Sequence, residues 1–427
     1  MADAAVTSRE AIETSQLDQL RRLIGQLVPG NRFYAPRLQT AGLDGNLASL
    51  EHFTASMPPT TKAELAADQT DHPPYGTNLT YPLDGYCRFH QTSGTTSQPL
   101  RWLDTAESWQ WMLESWKQVY RAAGVDAGDR VFFAFSFGPF LGFWTAFEAA
   151  VQLGCLALPG GGLGSEARLQ IILDNNATVL CCTPTYALRL AEVARETGVD
   201  LSDSTVRLII VAGEPGGSVP ATRRRISESW HGARVFDHHG MTEVGPVTYE
   251  CPQQPGTLHV IETAYLAEVI HRGDGRPAGN GEEGELVLTT LGRVGSPLLR
   301  YRTGDLVRPV LRKTACACGS FDLALEGGIL GRTDDMVVVR GVNIYPGAVD
   351  QVIRDIGQVG EYRVHVDTSA TLPQIDIEIE TPDPALARRL ETKLQQTFSL
   401  RVPVCTVPAG TLPRFEMKAR RWLRHGN

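Results

Sequence analysis

After Tyr81, and as far as residue 240, the sequence alternates regularly between short apolar runs and longer amphipathic stretches. The apolar runs have the length and composition of buried strands, and they read DRVFFAF, LALPGG, TVLCCTP, VRLIIVAGEP and ARVFDHHG. The stretches between them have the spacing of helices, as in WQWMLESWKQVYRAAG and TYALRLAEVARETG. Strands and helices that alternate in this way form a parallel sheet with helices on both faces. The sequence therefore predicts an α/β fold.

The pattern changes after Glu250 and again near residue 331. From Glu250 onward, short strand-like segments separated by turn residues predict a smaller, mostly antiparallel β unit. From residue 331 the sequence predicts a compact α+β unit with a helix over residues 346–356, two strands, a second helix (PALARRLETKLQQTF) and a further strand (VPVCTV). A chain of 427 residues is longer than one core usually holds, so more than one domain is expected.

The charge balance and the cysteine content restrict the classes of partner and compartment. The formal net charge is −8, from 48 acidic and 40 basic residues. This balance predicts neither a nucleic-acid partner nor an anionic membrane partner. The sequence shows no basic region followed by an apolar stretch at its start and no apolar run of membrane-spanning length. With eight cysteines and no secretory signal, we expect a cytoplasmic protein with reduced thiols.

The segment HQTSGTTSQ surrounds one glycine with hydroxyl side chains. The residues of this loop are Thr92, Ser93, Gly94, Thr95, Thr96 and Ser97. A glycine lets successive backbone N–H groups point inward and hydroxyls add further donors, so phosphate binding is one interpretation. The loop is not a Walker loop, which would end in Gly-Lys-Ser/Thr. On composition alone, a polar surface turn is an equally good interpretation.

Four further motifs lie at the ends of predicted strands or at a predicted boundary. VAGEPGG and HHGMTEVG both follow strands, which is where α/β sheets bind ligands, and the second contains Glu243. YRTGDL places Asp305 at a turn, where a carboxylate could bind the hydroxyls of a ribose. GRTDDMVVVRG lies between two predicted units. Each motif alone is also typical of an ordinary turn or cap, and only their order and separation make them informative.

Together these motifs resemble those of the acyl-adenylate-forming superfamily, and most closely its phenylacetate–CoA ligase family. The resemblance covers essentially the whole chain, through NRFYAPRL, PPTTKAEL, SGTTSQP, TPTYAL, GEP, GMTE, GEEGELVLTTL, RYRTGDL, CACG, GRTDDMVVVRGVNIYP and LPRFEMKARR. It implies a large N-terminal adenylation domain over residues 1–333, with parallel sheets flanked by helices plus a smaller β unit. It also implies a small, mobile α+β C-terminal domain over residues 334–427.

The resemblance implies a two-step reaction. A carboxylate attacks the α-phosphate of ATP, bound with Mg²⁺, to give acyl-AMP and pyrophosphate, and a thiol, usually that of coenzyme A, then displaces AMP. Attack of one anion on another depends on charge neutralisation and positioning. The residues implied to contact ATP or AMP are Thr92 to Ser97, Gly213, Glu214, Pro215, His239, Gly240, Asp305 and Arg332.

The same resemblance assigns the catalytic groups. Thr242 would lie near the α-phosphate, Glu243 would bind Mg²⁺, and Asp334 would be the hinge between the two domains. Lys418 would reach the α-phosphate and carboxylate oxygens during adenylation and then move away. A lone lysine near a C-terminus is normally a solvated charge, and Lys418 is distinguished only by its place in LPRFEMKARR.

Four positions, in three motifs, depart from the family pattern. Ser97 and Gln98 stand where a glycine and a lysine are usual, which makes the phosphate loop stiffer and less cationic. His239 stands where a tyrosine usually stacks on adenine, and it adds a titratable ring. Met417 stands where a glycine usually precedes the terminal lysine. The first departure bears on affinity for ATP rather than on the chemistry.

Three cysteines and one histidine of the predicted β unit could form one metal site. They are Cys251, His259, Cys316 and Cys318. Three thiolates and one imidazole are a closed tetrahedral set that suits structural zinc, and similar sets occur in relatives. The alternative is that these residues are small buried hydrophobic groups.

By the same resemblance, the acyl pocket lies between the VAGEP strand and the segment SFGPFLGFW. The side chains that would line a flat apolar slot there are Phe137, Phe140, Phe143 and Phe236. Plain core packing is the alternative for each of them. As a set they favour an aryl acid of the phenylacetate, benzoate or anthranilate type, and we hypothesise that His238 orients an amino or hydroxyl group on its ring.

These expectations together describe an ATP-dependent aryl-carboxylate–CoA ligase with an aryl acid, ATP and CoA as partners, and the resemblance implies a homodimer. An alternative is an adenylating enzyme that passes the acyl group to the thiol of a carrier protein, which would use the same active site. A second alternative is a nucleotide-binding protein without catalysis. Lys418 and Glu243 argue against that alternative, because a degenerate relative would lose them first.

Overall fold

The computed structural model describes residues 8–43, 45, 47–92, 99–333, 335–339, 342–367, 373–415 and 419–425. The helices in these ranges are α1 Arg9–Leu27, α2 Ala35–Thr40, α3 Leu50–Ser56, α4 Lys62–Asp71, α5 Ala106–Ala123, α6 Trp144–Gln152, α7 Ser165–Asp174, α8 Pro184–Thr197, α9 Pro220–Ser229, α10 Pro346–Ile356 and α11 Pro384–Phe398. The first twelve strands are β1 Arg88–Gln91, β2 Arg101–Asp104, β3 Arg130–Phe133, β4 Leu156–Pro159, β5 Val179–Cys182, β6 Leu208–Val211, β7 Arg234–Asp237, β8 Gly240–Met241, β9 Gly245–Pro246, β10 Thr248–Glu250, β11 Thr257–Val260 and β12 Tyr265–Ile270. The remaining strands are β13 Gly284–Thr290, β14 Tyr301–Val307, β15 Pro309–Val310, β16 Ala324–Glu326, β17 Gly331–Arg332, β18 Val337–Val339, β19 Val342–Ile344, β20 Tyr362–Asp367, β21 Gln374–Glu380, β22 Val404–Val407 and β23 Trp422–His425.

A five-stranded parallel sheet forms the centre of the large N-terminal part, in the order β4-β3-β5-β6-β7. Successive residues of its strands belong to different hydrophobic cores. Val131 and Phe133 pack into the core that contains α5 and α6, whereas Phe132 between them packs with α7 and α8 on the other face. A strand covered on both faces is apolar at every position, which explains the uninterrupted apolar runs in the sequence.

Two four-stranded antiparallel sheets follow the parallel sheet along the chain. Their strand orders are β10-β11-β16-β15 and β12-β13-β14-β17. Two short hairpins, β1–β2 and β8–β9, lie beside them. VAGEPGG and HHGMTEVG follow the parallel strands β6 and β7 as predicted. The prediction that YRTGDL places Asp305 at a turn is wrong, because this segment lies within β14 and pairs with β13 and β17.

The C-terminal part has a hydrophobic core of its own, built on a mixed sheet in the order β22-β21-β20-β23 with α10 and α11. The helix predicted over residues 346–356 is α10, and the strands YRVHVD and PQIDIEIE are β20 and β21. The sequence did not predict β23, which pairs in parallel with β20 and closes one edge of the sheet.

The predicted fold class is confirmed: parallel strands alternate with helices, and a smaller β unit and an α+β unit follow. The domain boundary between residues 333 and 334 stays a prediction. The predicted functional residues Ser93, Gly94, Thr95, Thr96, Ser97, Asp334 and Lys418 lie outside the described residues. Among the helices that are described, none is long and apolar enough to cross a membrane.

Candidate functional site

The predicted phosphate loop connects the two strands of the β1–β2 hairpin. Thr92 closes the base of this loop from both sides. Its backbone N–H donates to the Leu100 carbonyl over 2.9 Å, and its Oγ1 accepts from the Leu100 N–H over 3.0 Å. Thr92 is buried, so its side chain fixes the two ends of the loop at the edge of the site.

The GEP motif follows β6 at the carboxyl end of the parallel sheet. Gly213 has a φ of +92°, a conformation that favours glycine, and turns the chain sharply there. The side chain of Glu214 faces α8 and the C-terminal part. Its Oε1 accepts from the Thr185 N–H over 2.8 Å and its Oε2 accepts from the Ala419 N–H over 2.9 Å. Pro215 is exposed beside them.

Asp305, which is buried, and His239, which is partly buried, form the polar centre of the site. Asp305 Oδ2 lies 3.0 Å from His239 Nε2, and Arg332 donates to Asp305 Oδ1 over 3.0 Å. Burial alone would raise the pKa of Asp305, but the neighbouring His239 and Arg332 hold it below its ordinary value. Among the described residues, Asp305 Oδ2 and His239 Nε2 have no hydrogen bond of normal geometry. Ribose hydroxyls of a nucleotide could supply the missing partners.

Glu243 lies in the turn between β8 and β9, with its carboxylate buried. Lys62 Nζ lies 3.3 Å from its Oε1 and is half exposed. Lys62 is the first residue of α4, and a capping box between Thr61 and Glu64 fixes this helix end. A buried carboxylate with one exposed ammonium beside it is a hard oxygen donor that a Mg²⁺ ion bound with phosphates could share.

A buried ion pair holds the backbone of the Glu243 turn. Arg293 donates from Nε and Nη2 to the two oxygens of Asp104 over 2.6 and 2.7 Å. Its Nη1 donates to the carbonyl oxygens of Thr242 and Glu243 over 3.0 and 2.6 Å. Asp104 is the last residue of β2, so the ion pair connects the base of the phosphate-loop hairpin with the turn that carries Glu243.

His238 is a buried hydrogen-bond acceptor at the end of β7. Its Nδ1 lies 2.6 Å from the Thr248 carbonyl oxygen. A carbonyl can only accept, so Nδ1 carries the proton and Nε2 presents a lone pair. Burial lowers the pKa of His238 to about 3, so the ring stays neutral at physiological pH. Nε2 faces Gly240, where an added Cβ would lie 3.3 Å from it.

Aromatic rings extend from His238 toward the segment after β3. The centroid of Trp116 lies 4.3 Å from that of His238 and 6.0 Å from that of Phe143. Phe135 links Phe143 to Phe137, with centroid separations of 5.8 and 5.4 Å. These contacts place the predicted Phe137, Phe143 and His238 on one connected aromatic surface.

The other two predicted pocket residues differ in their exposure. Phe236 precedes His238 by two positions on the same face of β7 and is buried in the core. Phe140 is partly exposed and lies beside Gly138.

The predicted zinc ligands converge on one point of the β unit. Their ligand atoms all lie within 4.8 Å of one another. The Cys251 and Cys316 sulfurs are 3.7 Å apart, and Cys318 Sγ lies 3.5 Å from His259 Nε2. Zinc–sulfur bonds of about 2.3 Å in a tetrahedron place sulfurs about 3.8 Å apart. His259 Nδ1 lies 3.2 Å from the Asp322 carbonyl oxygen, the second contact that a zinc-bound histidine usually makes. The donor set fits a closed structural zinc site.

Sequence reasoning missed four residues of this site: Lys62, Asp104, Arg293 and Trp116. A single charged residue normally indicates solvent exposure. The spacing around Trp116 indicated only that it belongs to the apolar face of a helix. The PPTTKAEL motif contained Lys62 but gave no reason to pair it with Glu243. The partners of Arg293 lie up to 189 residues away along the chain, so no local pattern could have found them.

Comparison with known proteins identifies the family of the chain. The family model described as "AMP-binding enzyme" matches residues 59–292, and the model described as "AMP-binding enzyme C-terminal domain" matches residues 341–425. Phenylacetate-coenzyme A ligase of Thermus thermophilus is 31% identical over 96% of this chain and 95% of that protein.

The solved structures include one enzyme in two states. 2-Hydroxyisobutyryl-CoA ligase in the postadenylation state, in complex with R3-HIB-AMP, superimposes with a TM-score of 0.92 at 26% identity, covering 99% of this chain and 93% of that one. The same enzyme with 2-HIB-AMP and CoA in the thioesterification state gives a TM-score of 0.74 at 27% identity, covering 98% and 91%. The chain therefore belongs to the AMP-binding, acyl-adenylate-forming enzyme family, with the phenylacetate–CoA ligases among its relatives, and is an AMP-forming acyl-CoA ligase.

Proposed function

We propose that this ligase acts on an aryl carboxylic acid whose ring carries a hydrogen-bond donor such as a hydroxyl or amino group. The observation that carries this proposal is the environment of His238. Its neutral ring presents an acceptor at Nε2, and it lies against Trp116 on the aromatic surface that includes Phe143 and Phe137. Aromatic walls favour a flat apolar acid, and a buried acceptor disfavours an acid that leaves it without a partner.

We further propose how the chain binds the nucleotide. Asp305 and His239 take the ribose hydroxyls, Gly213 to Pro215 with Gly240 line the adenine site, and Arg332 lies beside the nucleotide. The loop from Thr92 to Ser97 holds the β- and γ-phosphates. Support comes from two buried atoms, Asp305 Oδ2 and His239 Nε2, that lack a hydrogen bond of normal geometry among the described residues, and from the position of Thr92 at the base of the loop.

The charged residues around Glu243 would carry the first step. A carboxylate oxygen of the acid forms a bond to the α-phosphorus while the bond to the pyrophosphate oxygen breaks, which gives acyl-AMP and pyrophosphate. Mg²⁺, held by Glu243 and the phosphates, would neutralise part of the charge that develops. Thr242 lies next to Glu243 in the same turn, and Lys418 would complete the positive charge at the α-phosphate. A thiolate of CoA then attacks the acyl carbon and releases AMP.

We also propose that Cys251, His259, Cys316 and Cys318 hold a structural zinc ion. Four protein ligands leave no open position for a substrate, so the ion would stabilise the β unit and take no part in the reaction. The fit of the sulfur separations and the contact from His259 to the Asp322 carbonyl support this assignment.

The proposal is tested by incubating the protein with ATP, Mg²⁺, CoA and each of phenylacetate, benzoate, anthranilate and the hydroxybenzoates. Thioesters and AMP are measured by mass spectrometry. We expect a thioester with at least one acid that carries a ring amino or hydroxyl group, formed faster than with the unsubstituted acid. Equal rates with and without the ring donor would contradict the role of His238. Acyl-AMP without thioester would instead favour a carrier-protein thiol as the acceptor.

Replacing Lys418 tests the catalytic assignment separately. In Lys418→Ala, we expect acid-dependent exchange of pyrophosphate into ATP to fall by about a hundredfold or more, since a charge at the reacting phosphate is lost. The conversion of supplied acyl-AMP and CoA into thioester should be retained. An exchange rate equal to that of the unchanged protein would show that Lys418 is not the catalytic lysine.

A further inference from the structure

The carboxylate of Glu214 joins the two parts of the chain. Its Oε1 accepts a hydrogen bond from the N–H of Thr185, in the first turn of α8, over 2.8 Å. Its Oε2 accepts from the N–H of Ala419 over 2.9 Å. Thr185 belongs to the large N-terminal part, whereas Ala419 directly follows Lys418 in the C-terminal part. One side chain thus fixes the backbone next to the proposed catalytic lysine.

One hydrogen bond of Glu214 lies within the N-terminal part, and the other depends on the position of the C-terminal part. The N–H of Thr185 is one of the donors that a helix leaves without an internal partner, so its bond to Glu214 stays within the N-terminal part. The bond to Ala419 exists only while the C-terminal part lies in its present position. Both bonds have a charged acceptor, and such bonds are stronger than those between neutral groups.

Other contacts hold the same segment beside α8. Arg421 donates to Thr185 Oγ1 over 3.3 Å and forms an ion pair with Glu361 at 2.6 Å. Arg414 lies 3.8 Å from Glu192 of α8. Only Glu214, among these groups, bonds to the backbone of the residue after Lys418.

The comparison structures differ in how closely they match the present arrangement. The present structure superimposes over nearly its whole length on 2-hydroxyisobutyryl-CoA ligase in the postadenylation state, with a TM-score of 0.92, but reaches only 0.74 against that enzyme in the thioesterification state. The bond between Glu214 and Ala419 therefore belongs to an arrangement like that of the postadenylation state.

We propose that Glu214 is a positioning residue for the first half-reaction: its carboxylate holds the backbone at Ala419, and through it Lys418, over the nucleotide. This inference rests on the proposed function, because it presumes that Lys418 acts in adenylation. It assigns the Glu214 side chain a role separate from that of the neighbouring backbone, which lines the adenine site. When the C-terminal part changes position for the second half-reaction, Glu214 keeps its hydrogen bond from the Thr185 N–H and loses the one from the Ala419 N–H.

The test measures the two half-reactions of Glu214→Gln separately. An amide has only one oxygen to accept with, so the variant can satisfy one of the two N–H groups and places an NH₂ against the other. Adenylation is followed by exchange of labelled pyrophosphate into ATP with phenylacetate, or with anthranilate or a hydroxybenzoate if the unchanged protein prefers it. Thioester formation is followed from the corresponding synthetic acyl-AMP and CoA. The ratio of the two rates does not depend on how much of the variant is folded.

We expect the ratio of adenylation to thioester formation to fall by about tenfold or more, with the loss in kcat and not in KM for ATP. Glu192→Gln, which faces the same segment through Arg414 only, should leave the ratio within about twofold. An unchanged ratio in Glu214→Gln, or a loss confined to KM for ATP, would overturn the proposal. If the unchanged protein makes no thioester from any acid, the proposed function fails instead, and the two failures are distinguishable.

Discussion

Arg293 and Asp104 form a bidentate ion pair in which both side chains are fully buried, and the same guanidinium donates to the carbonyl oxygens of Thr242 and Glu243. One group thereby satisfies a buried carboxylate and fixes the turn that carries the proposed Mg²⁺ ligand. Removing one partner of a buried pair leaves an uncompensated charge, whereas replacing both by apolar groups costs little. Stability and positioning can therefore be separated by mutation.

We expect Arg293→Met to lower the free energy of unfolding by about 3–5 kcal/mol, because it strands the Asp104 carboxylate in the core. The double variant Arg293→Met/Asp104→Leu should recover most of that loss. Its adenylation rate should nevertheless remain about tenfold or more below that of the unchanged protein, since the Thr242 and Glu243 carbonyls still lack their donor. Chemical denaturation and pyrophosphate exchange measure the two effects, and a double variant with full activity would refute the positioning role.

We expect Lys62, through its contact with Glu243, to contribute positive charge where the phosphates of ATP bind. In Lys62→Met the ammonium that lies 3.3 Å from Glu243 is lost, and kcat/KM for ATP in the exchange reaction should fall about tenfold or more. Lys393→Met, an exposed position on α11, is the matched control and should behave like the unchanged protein. An equal effect of both substitutions would mean that only the net charge matters.

His238 is expected to set the preference among acids. His238→Phe keeps an aromatic ring against Trp116 but removes the acceptor at Nε2. The ratio of kcat/KM for the ring-substituted acid to that for its unsubstituted analogue should fall by about tenfold or more, while the rate with the unsubstituted acid changes little. If the ratio stays the same, the ring substituent does not bind at His238.

The zinc site predicts a loss of stability on removal of one ligand. Cys318→Ser should abolish zinc binding, measured by elemental analysis, and lower Tm by about 5–10 °C, in line with a loss of a few kcal/mol. Cys87→Ser, at an exposed thiol away from the cluster, should change neither quantity. If Cys318→Ser binds no zinc but keeps an unchanged Tm, the four residues do not form a structural zinc site.

Two buried histidines predict that acid destabilises the fold. Burial lowers the pKa of His90 to about 4 and that of His238 to about 3, against 6.5 for an ordinary histidine. As pH falls from 6.5 to about 4, the unfolded state takes up protons at these positions and the folded state does not. The free energy of unfolding should therefore decrease over this interval, by up to about 1.4 kcal/mol per pH unit for each group.

The variant His90→Phe isolates one of these contributions. Phenylalanine can keep the stack on Trp109, whose ring lies parallel to that of His90 at 5.2 Å, but it cannot be protonated. The dependence of stability on pH between 6.5 and 4 should become shallower in this variant. A slope equal to that of the unchanged protein would mean that His90 does not contribute to it.

Much of the fold follows from local patterns that the sequence displays. The helix α11 and the strand β20 have the bounds that their periodicity indicates, because each is covered on one face by its own core. The strand β23 could not be predicted in this way. It forms beside β20 only because residues about 60 positions apart meet in the folded chain, as Val364 and Trp422 do.

The candidate site likewise contains residues that local motifs predicted and residues that only the folded structure brings together. Its motifs gave Asp305, His239 and Glu243, because short segments carry a recognisable order of residue types, whether they follow a parallel strand or, as for Asp305, lie within β14. Their partners came from distant segments: Lys62 for Glu243, and Asp104 for the arginine that holds the Glu243 turn. The tautomer of His238 likewise depends on a carbonyl ten residues away, which no pattern of residue types records.

By itself the sequence determined the α/β class, the order of the elements and the identity of the motif residues, because these depend on the spacing of apolar and polar groups along a short stretch. Only the tertiary structure decided which charges are paired in the interior, which nitrogen of His238 is free to accept, and that Glu214 reaches the residue after Lys418. Those properties depend on burial and on distances between segments far apart in the chain, and they exist only once the chain has folded.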